Sequence, residues 1–387
     1  METIKKNRQL VSVDWLELFT HATDEKMKNG EETITKGKYT LKLEGEGTSF
    51  FAFRYIVKYQ KIQVATLLVK PRARFIHKRT ALLKLSNRVL YSQEWAAMAS
   101  DLVHELGLIY KGITRIDLCC DMKRFAGGRR VHKFIKDYVM KAYGEDGYIH
   151  RKGSNEFSCH GSKDKGGLSK INYIAFGTRN SDVRAYIYNK SKELRESAHE
   201  KPWIKEFWAD NGLMEDEKND VWRCEISIKA KGTNMLNFET GELFKLRPEY
   251  VDSQKNVERI FMAYANKYLS FSAQHGQKRA KDFDAIVLFD AFEEIPVRPK
   301  SMTKRLDSGR MERIITKKLK EYEETYSDLS GQLLDAVSKT IAFVNVLSWA
   351  KQQEFDKEIR DRVAEGRILH MKSYQNSKSY ARVPQTL

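Results

Sequence analysis

Residues Val183 to Lys190 read Val-Arg-Ala-Tyr-Ile-Tyr-Asn-Lys, a strict alternation that suits a half-buried strand and not a helix. Gly177 to Asp182, just before, supply turn chemistry. On a strand, Arg184, Tyr186, Tyr188 and Lys190 share one face. That face carries two phenols, two cations and no carboxylate. A phenol is a poor nucleophile near neutral pH, because its pKa is about 10. Flanking cations favour the phenolate and hold a phosphate, which suits a tyrosine that attacks a phosphodiester. The same pattern also describes an ordinary amphipathic strand with Tyr and Lys reaching solvent.

The same period recurs in residues 9–22 and 38–90, where Gly and polar turns separate the patches. Ser92 to Leu108 changes period: Trp95, Met98, Leu102 and Leu106 fall at helical spacing, and Gly107 can stop the helix. Further helices are expected at Val131–Tyr143 and Gln254–Leu269, with strands around Phe157, Tyr173–Tyr188 and Glu225 and a polar insertion at Ser197–Asn219. This order predicts an α+β fold: a largely antiparallel central sheet flanked by helices, with a helical C-terminal extension. A Rossmann G-x-G-x-x-G and a P-loop are both absent, and there is no internal repeat.

The expected organisation is one α+β domain over 1–290, with a strand-rich basic part at 1–110 and a catalytic part at 111–290. A basic linker follows at 291–310, because Val297–Glu321 holds nine Lys and Arg against three acids. Residues 311–370 read as helical, with Leu333, Leu334, Val337, Ile341, Val344 and Leu347 on one stripe. Residues 371–387 have the composition of a disordered tail.

Charge narrows the partner. The net charge is +17 over 387 residues, which suits a polyanion, nucleic acid before membrane. Gly47 to Gln93 contains no Asp or Glu but ten Lys and Arg, with Phe and Tyr interleaved. Within it, Arg72, Arg74, Lys78 and Arg79 are candidates for holding the backbone of duplex DNA. A β-meander with one solvated basic face and one buried aromatic face gives the same pattern. The four cysteines form no C-x-x-C pair, so zinc is not expected and reduced thiols in a cytoplasmic protein are. Neither a signal peptide nor a transmembrane run is visible.

Three segments resemble, in order and spacing, the blocks of the Rep-trans family of plasmid rolling-circle replication initiators and similar relaxases of integrative conjugative elements. They are Thr114, Arg115, Asp117 and Asp121; then Phe176, Gly177, Arg179, Ser181, Asp182, Ile187, Tyr188, Asn189, Lys190 and Glu193; then Trp222, Arg223, Glu225 and Lys229. The resemblance implies that Tyr188 attacks a scissile phosphate in origin DNA that is single-stranded or extruded as a hairpin. It would keep a 5′-phosphotyrosine and free a 3′-hydroxyl. It also implies a host helicase and a homodimer as partners. The family usually has Arg two residues before its tyrosine; here Tyr186 stands there, a second candidate nucleophile, with Arg184 on the same face as a substitute cation. Lys190 and Arg179 are candidates for steadying phosphate. A relaxase with the same chemistry and a non-catalytic DNA-binding protein on the same fold are the alternatives.

Such chemistry calls for a cation on the non-bridging oxygens. The nine histidines form no H-x-H pair, so Mg²⁺ or Mn²⁺ on carboxylates is expected, with Asp117, Asp121 and Glu225 as candidates. Four residues of regular strand separate Asp117 from Asp121 by roughly 13 Å. Either a bulge near Cys119–Cys120 closes that gap, or one Asp joins Glu225 and the other has a different task. Arg115 and Arg223 have the parity to form cross-strand pairs with Asp117 and Glu225 instead.

Overall fold

The computed structural model describes residues 8–300, apart from 46, 75, 154–155, 165–166, 214–219, 277–278, 280–281 and 291–294. These residues belong to one compact unit, 1–301. The expected helical region at 311–370, the tail at 371–387 and most of the linker lie outside the described residues.

The frame is one antiparallel sheet of eleven strands. Its first seven strands are β1 (Gln9–Ala22), β2 (Thr33–Lys36), β3 (Tyr39–Leu43), β4 (Phe51–Tyr59), β5 (Ile62–Pro71), β6 (Thr80–Leu85) and β7 (Leu108–Met122). After β8 (Tyr148–Arg151), which joins a small sheet, come β9 (Phe157–Asp164), β10 (Gly167–Phe176), β11 (Val183–Asn189) and β12 (Trp222–Lys229). The strand order is β2-β3-β4-β5-β6-β1-β7-β12-β11-β10-β9. Two three-stranded sheets flank it. One is β13 (Asn234–Asn237), β14 (Leu243–Lys245) and β17 (Val297–Pro299); the other is β8 with β15 (Phe271–Gln274) and β16 (Asp284–Ile286). The fold is therefore the expected α+β arrangement around an antiparallel sheet. Residues 297–299, expected inside the linker, instead pair with β13 as an edge strand.

Two short helices, α1 (Glu25–Asn29) and α2 (Asn87–Leu90), precede α3 (Trp95–Glu105) and α4 (Val131–Met140). The chain continues with α5 (Lys190–Glu196), α6 (Pro202–Asp210) and α7 (Gln254–Tyr268). The larger helices bury stripes at helical spacing: Val131, Phe134, Ile135 and Tyr138 on α4, and Val257, Ile260, Phe261 and Tyr264 on α7. These stripes, with Ala99 and Leu102 of α3, cover one face of the sheet, where Ile116, Leu118, Ile187, Ile226 and Ile228 are buried. Each fully buried side chain of this size contributes about 1.5–3 kcal/mol.

The opposite face is polar and only partly roofed. Ile204 and Trp208 of α6 form a second, smaller core there with Leu213 and Val221, against which Leu10 and Tyr91 pack. The insertion expected to be merely polar thus contains a helix that shields this face. No helix among the described residues is long and apolar enough to cross a membrane.

One irregularity shapes the polar face. The β1–β7 ladder shifts register between Val13 and Trp15, leaving Asp14 as an extra residue. Val11 and Val13 point into the core before the shift, and Leu16 and Leu18 after it. By contrast β7 pairs with β12 without interruption from Arg115 to Met122. The alternative of a bulge near Cys119–Cys120 is therefore not realised, and the bulge on β1 brings Asp117 no closer to Asp121.

Candidate functional site

The three sequence blocks lie on three adjacent strands, β7, β12 and β11. Their polar side chains share the partly roofed face, because paired positions in an antiparallel ladder point the same way. Tyr188 stands opposite Arg223, Tyr186 opposite Glu225 and Arg184 opposite Ser227. On β7, Asp121 faces Arg223 and Asp117 faces Ser227.

The Tyr188 phenol donates a 2.7 Å hydrogen bond to Glu225 Oε2. Burial, then the nearby Glu225 charge, pushes the phenol well above its usual pKa. Burial and the Glu225 charge thus work against the phenolate that the flanking cations were expected to favour. Lys190 is not on the strand face either. It opens α5, is 2% exposed, and pairs with Glu193 at 2.7 Å. Its Nζ lies 5.6 Å from the centre of the Tyr188 ring. The Arg184 guanidinium sits 5.0 Å from the Tyr186 ring centre.

A carboxylate, not a cation, stands against the Tyr188 hydroxyl. Burial, then repulsion from Asp14 and Asp117, raises Glu225 to about 7, although Arg223 and the Tyr188 hydrogen bond oppose the rise. A carboxylate poised near neutrality is suited to general-base work.

The expected metal set does not assemble. Asp121 is fully buried and receives Arg223 Nε at 2.6 Å and Nη2 at 2.7 Å, with Trp208 Nε1 adding a third bond at 2.8 Å. Arg115 grips Asp117 from the same strand through Nε at 2.9 Å and Nη2 at 2.5 Å. Arg115 thus pairs with Asp117 along its own strand and not across strands, whereas Arg223 makes its cross-strand pair with Asp121 and not Glu225. Among the described residues no group of three His, Cys, Asp or Glu side chains could hold one ion. Asp117, Asp121 and Glu225 as arranged do not fit a directly ligated Mg²⁺ or Mn²⁺.

Asp14 is the residue that sequence reasoning missed. Its Oδ1 accepts from Arg223 Nη1 at 2.6 Å, from the Tyr91 hydroxyl at 2.6 Å and from Asn87 Nδ2 at 3.2 Å. Burial would raise this carboxyl, but Arg223 and Lys190 with the Tyr91 and Asn87 hydrogen bonds outweigh it and hold it well below the usual range. A signal was present in the sequence: alternation on odd positions at Val11 and Val13 gives way to even positions at Leu16 and Leu18.

Tyr188, Tyr186 and Glu225 border a cleft of about 750 Å³. Its wall carries Tyr173, whose ring centre lies 6.0 Å from Tyr186, 6.4 Å from Tyr188 and 5.2 Å from His160. The DNA-binding candidates lie elsewhere. Arg72, Arg74, Lys78 and Arg79 are exposed on the loop between β5 and β6, where Arg72 Nε donates to the Thr48 carbonyl at 3.0 Å. On β4, Arg54 is exposed and Tyr55 buried, as a two-faced sheet requires. Arg179 is exposed on the turn before β11, and its carbonyl accepts from Lys229 Nζ at 2.6 Å. Of the cysteines, Cys119, Cys120 and Cys224 are buried free thiols and Cys159 is half-buried.

No family model matches the sequence, and no curated protein matches it significantly. Among solved structures, the chain is similar to a rolling circle replication initiator protein from Geobacillus stearothermophilus. The TM-score is 0.43 at 15% identity, over 72% of this chain and 93% of that one.

Proposed function

We propose that this protein is a DNA-nicking and strand-transferring enzyme with Tyr188 as nucleophile, acting as a rolling-circle replication initiator. The observation that carries the reading is the 2.7 Å hydrogen bond from the Tyr188 phenol to a carboxylate raised to about 7, on the border of an open cleft. A buried structural tyrosine needs a partner for its hydroxyl, but it does not need one tuned to neutrality and opening to solvent. The net charge of +17 supports a polyanionic substrate.

In the proposed step, Tyr188 Oη attacks the phosphorus of a phosphodiester and its proton passes to Glu225. The Oη–P bond forms and the P–O3′ bond breaks. The 3′-oxygen takes a proton from water and leaves as a free hydroxyl, while the 5′-phosphate stays on Tyr188. Return of the Glu225 proton to the phenol drives the reverse, joining step. Arg223, pinned by Asp14 and Asp121, fixes the floor on which Glu225 and Tyr188 stand. Tyr186 lacks the Glu225 hydrogen bond, so Tyr188 is preferred as nucleophile.

The test is covalent capture. A pool of 3′-labelled single strands of randomised sequence is incubated with the protein and resolved under denaturing conditions. Label is expected to migrate with the protein, to be lost in Tyr188→Phe and to persist in Tyr186→Phe. An adduct that survives Tyr188→Phe would remove the assignment.

A further inference from the structure

Beside the Tyr188 cleft runs a second depression of about 640 Å³. The two share Ser162, Asn172, Asn189, Lys192 and Glu196 on their walls, so they adjoin. The walls differ in chemistry. The first has the aromatic cluster of His160, Tyr173 and Tyr186. The second has Lys123, Arg124, Arg130, Lys170, Lys192 and Arg195, six cations against the two acids Glu196 and Asp220. Both acids are already paired, Asp220 with Arg195 at 3.0 Å and Glu196 with Lys192 at 3.6 Å.

We infer that this basic groove holds the sugar-phosphate backbone of a single DNA strand on one side of the scissile phosphate, with its neighbouring bases against the aromatic wall. The inference rests on the proposed nicking reading for what the cleft does, and adds where the substrate strand runs. Rings beside a cationic track match single-stranded nucleic acid, whose bases are free to stack while its phosphates are neutralised. A duplex hides those faces and calls for cations alone, as on the loop at 72–79. The cations also come from separate parts of the chain: the end of β7 and the segment leading into α4, then β10, then α5. Only the folded sheet brings them together.

The test separates this groove from the chemistry next to it. Lys123, Arg130 and Lys170 are changed together to Ala in a Tyr188→Phe background, so that no covalent step intervenes. Binding of a short fluorescein-labelled oligothymidine is then followed over a salt series, beside a random-sequence duplex. Each phosphate neutralised on a single strand adds about 0.7 to the slope of log affinity against log salt. The triple variant is expected to lose at least tenfold in single-strand affinity and about 2 from that slope. Its duplex binding should hold near the parent value. Lys170→Glu alone, at an exposed position, is the second variant and should weaken single-strand binding without lowering thermal stability. Unchanged single-strand affinity and slope in both variants would overturn the groove. If the protein with Tyr188 forms an adduct while those slopes stay unchanged, the nicking reading stands and the groove falls. If it forms none while the variants lose single-strand binding, the reverse holds.

Discussion

Replacing Asp121 by Ala separates a structural carboxylate from a metal ligand. Arg223 is 0% exposed and makes two of its hydrogen bonds to Asp121, at 2.6 and 2.7 Å. Removing one partner of a buried pair leaves a charge that water cannot reach, which costs about 3–5 kcal/mol. Trp208 Nε1 also loses its acceptor, while Asp14 and Tyr91 remain on Arg223 and keep the loss from exceeding that range. Against a total stability of about 5–15 kcal/mol, this is a large share. Asp117→Ala provides the contrast. Its partner Arg115 has a side chain 37% exposed and can rehydrate, so the expected loss is below about 1 kcal/mol. The assay is urea denaturation followed by far-ultraviolet circular dichroism, with EDTA and again with Mg²⁺. Asp121→Ala should show the same loss in both conditions. A loss under about 1 kcal/mol, or one that appears only with Mg²⁺, would refute the reasoning and return Asp121 to the metal set.

Glu225 gives a pH prediction: nicking should fall as pH drops below about 7, because the protonated acid cannot accept the phenol proton. Glu225→Gln should lose that limb and slow nicking by about 10²–10⁴, read from initial rates of adduct formation across pH. The stability sign is opposite. A folded pKa raised above the usual glutamate value gives stability that is present below the unfolded pKa and lost as pH rises through about 7. Glu225→Gln should therefore be more stable than the parent at alkaline pH, by denaturant midpoint, with the gap closing on acidification; no gap at alkaline pH would contradict the burial and repulsion assigned to Glu225. On the loop at 72–79, neutralising Arg72, Arg74, Lys78 and Arg79 together should flatten the salt dependence of duplex binding, by roughly 0.9 for each phosphate left without its cation. An unchanged duplex slope would mean this loop is only a solvated edge.

How far the residues alone foretell this molecule depends on which interactions are local. Alternation around Val183–Asn189 and helical stripes on α4 and α7 depend on neighbours in the chain, and both appear where expected. The partner of Arg223 does not. On parity alone Glu225 and Asp121 are both available, and only the β7–β12 register puts Asp121 directly opposite. Lys190 reads as a strand residue because alternation runs one residue past the point where Asn189 caps α5, its side chain accepting from Lys192 N at 2.8 Å. Helix α6 is hidden by its polar surroundings, although Trp203, Ile204, Phe207 and Trp208 already stand at helical spacing.

The roof that α6 provides also explains why one polar face holds two carboxylates with opposite chemistry. Asp121 lies beneath Trp208 with a guanidinium against both oxygens, so it is locked as a partner of Arg223. Glu225 is one step along β12 from Arg223 on the same face, and it borders the cleft. It receives the burial cost and the repulsion of Asp14 and Asp117 without a bidentate cation of its own. The β1 bulge is what brings Asp14 into that balance, since it adds a carboxylate to the polar face while returning Leu16 and Leu18 to the core. A regular β1 would have to choose between them, because consecutive strand residues point to opposite faces. The bulge thus serves packing and electrostatics together. It keeps the core of β1 continuous, and it supplies the negative charge that raises the proton affinity of Glu225 where the Tyr188 phenol meets it.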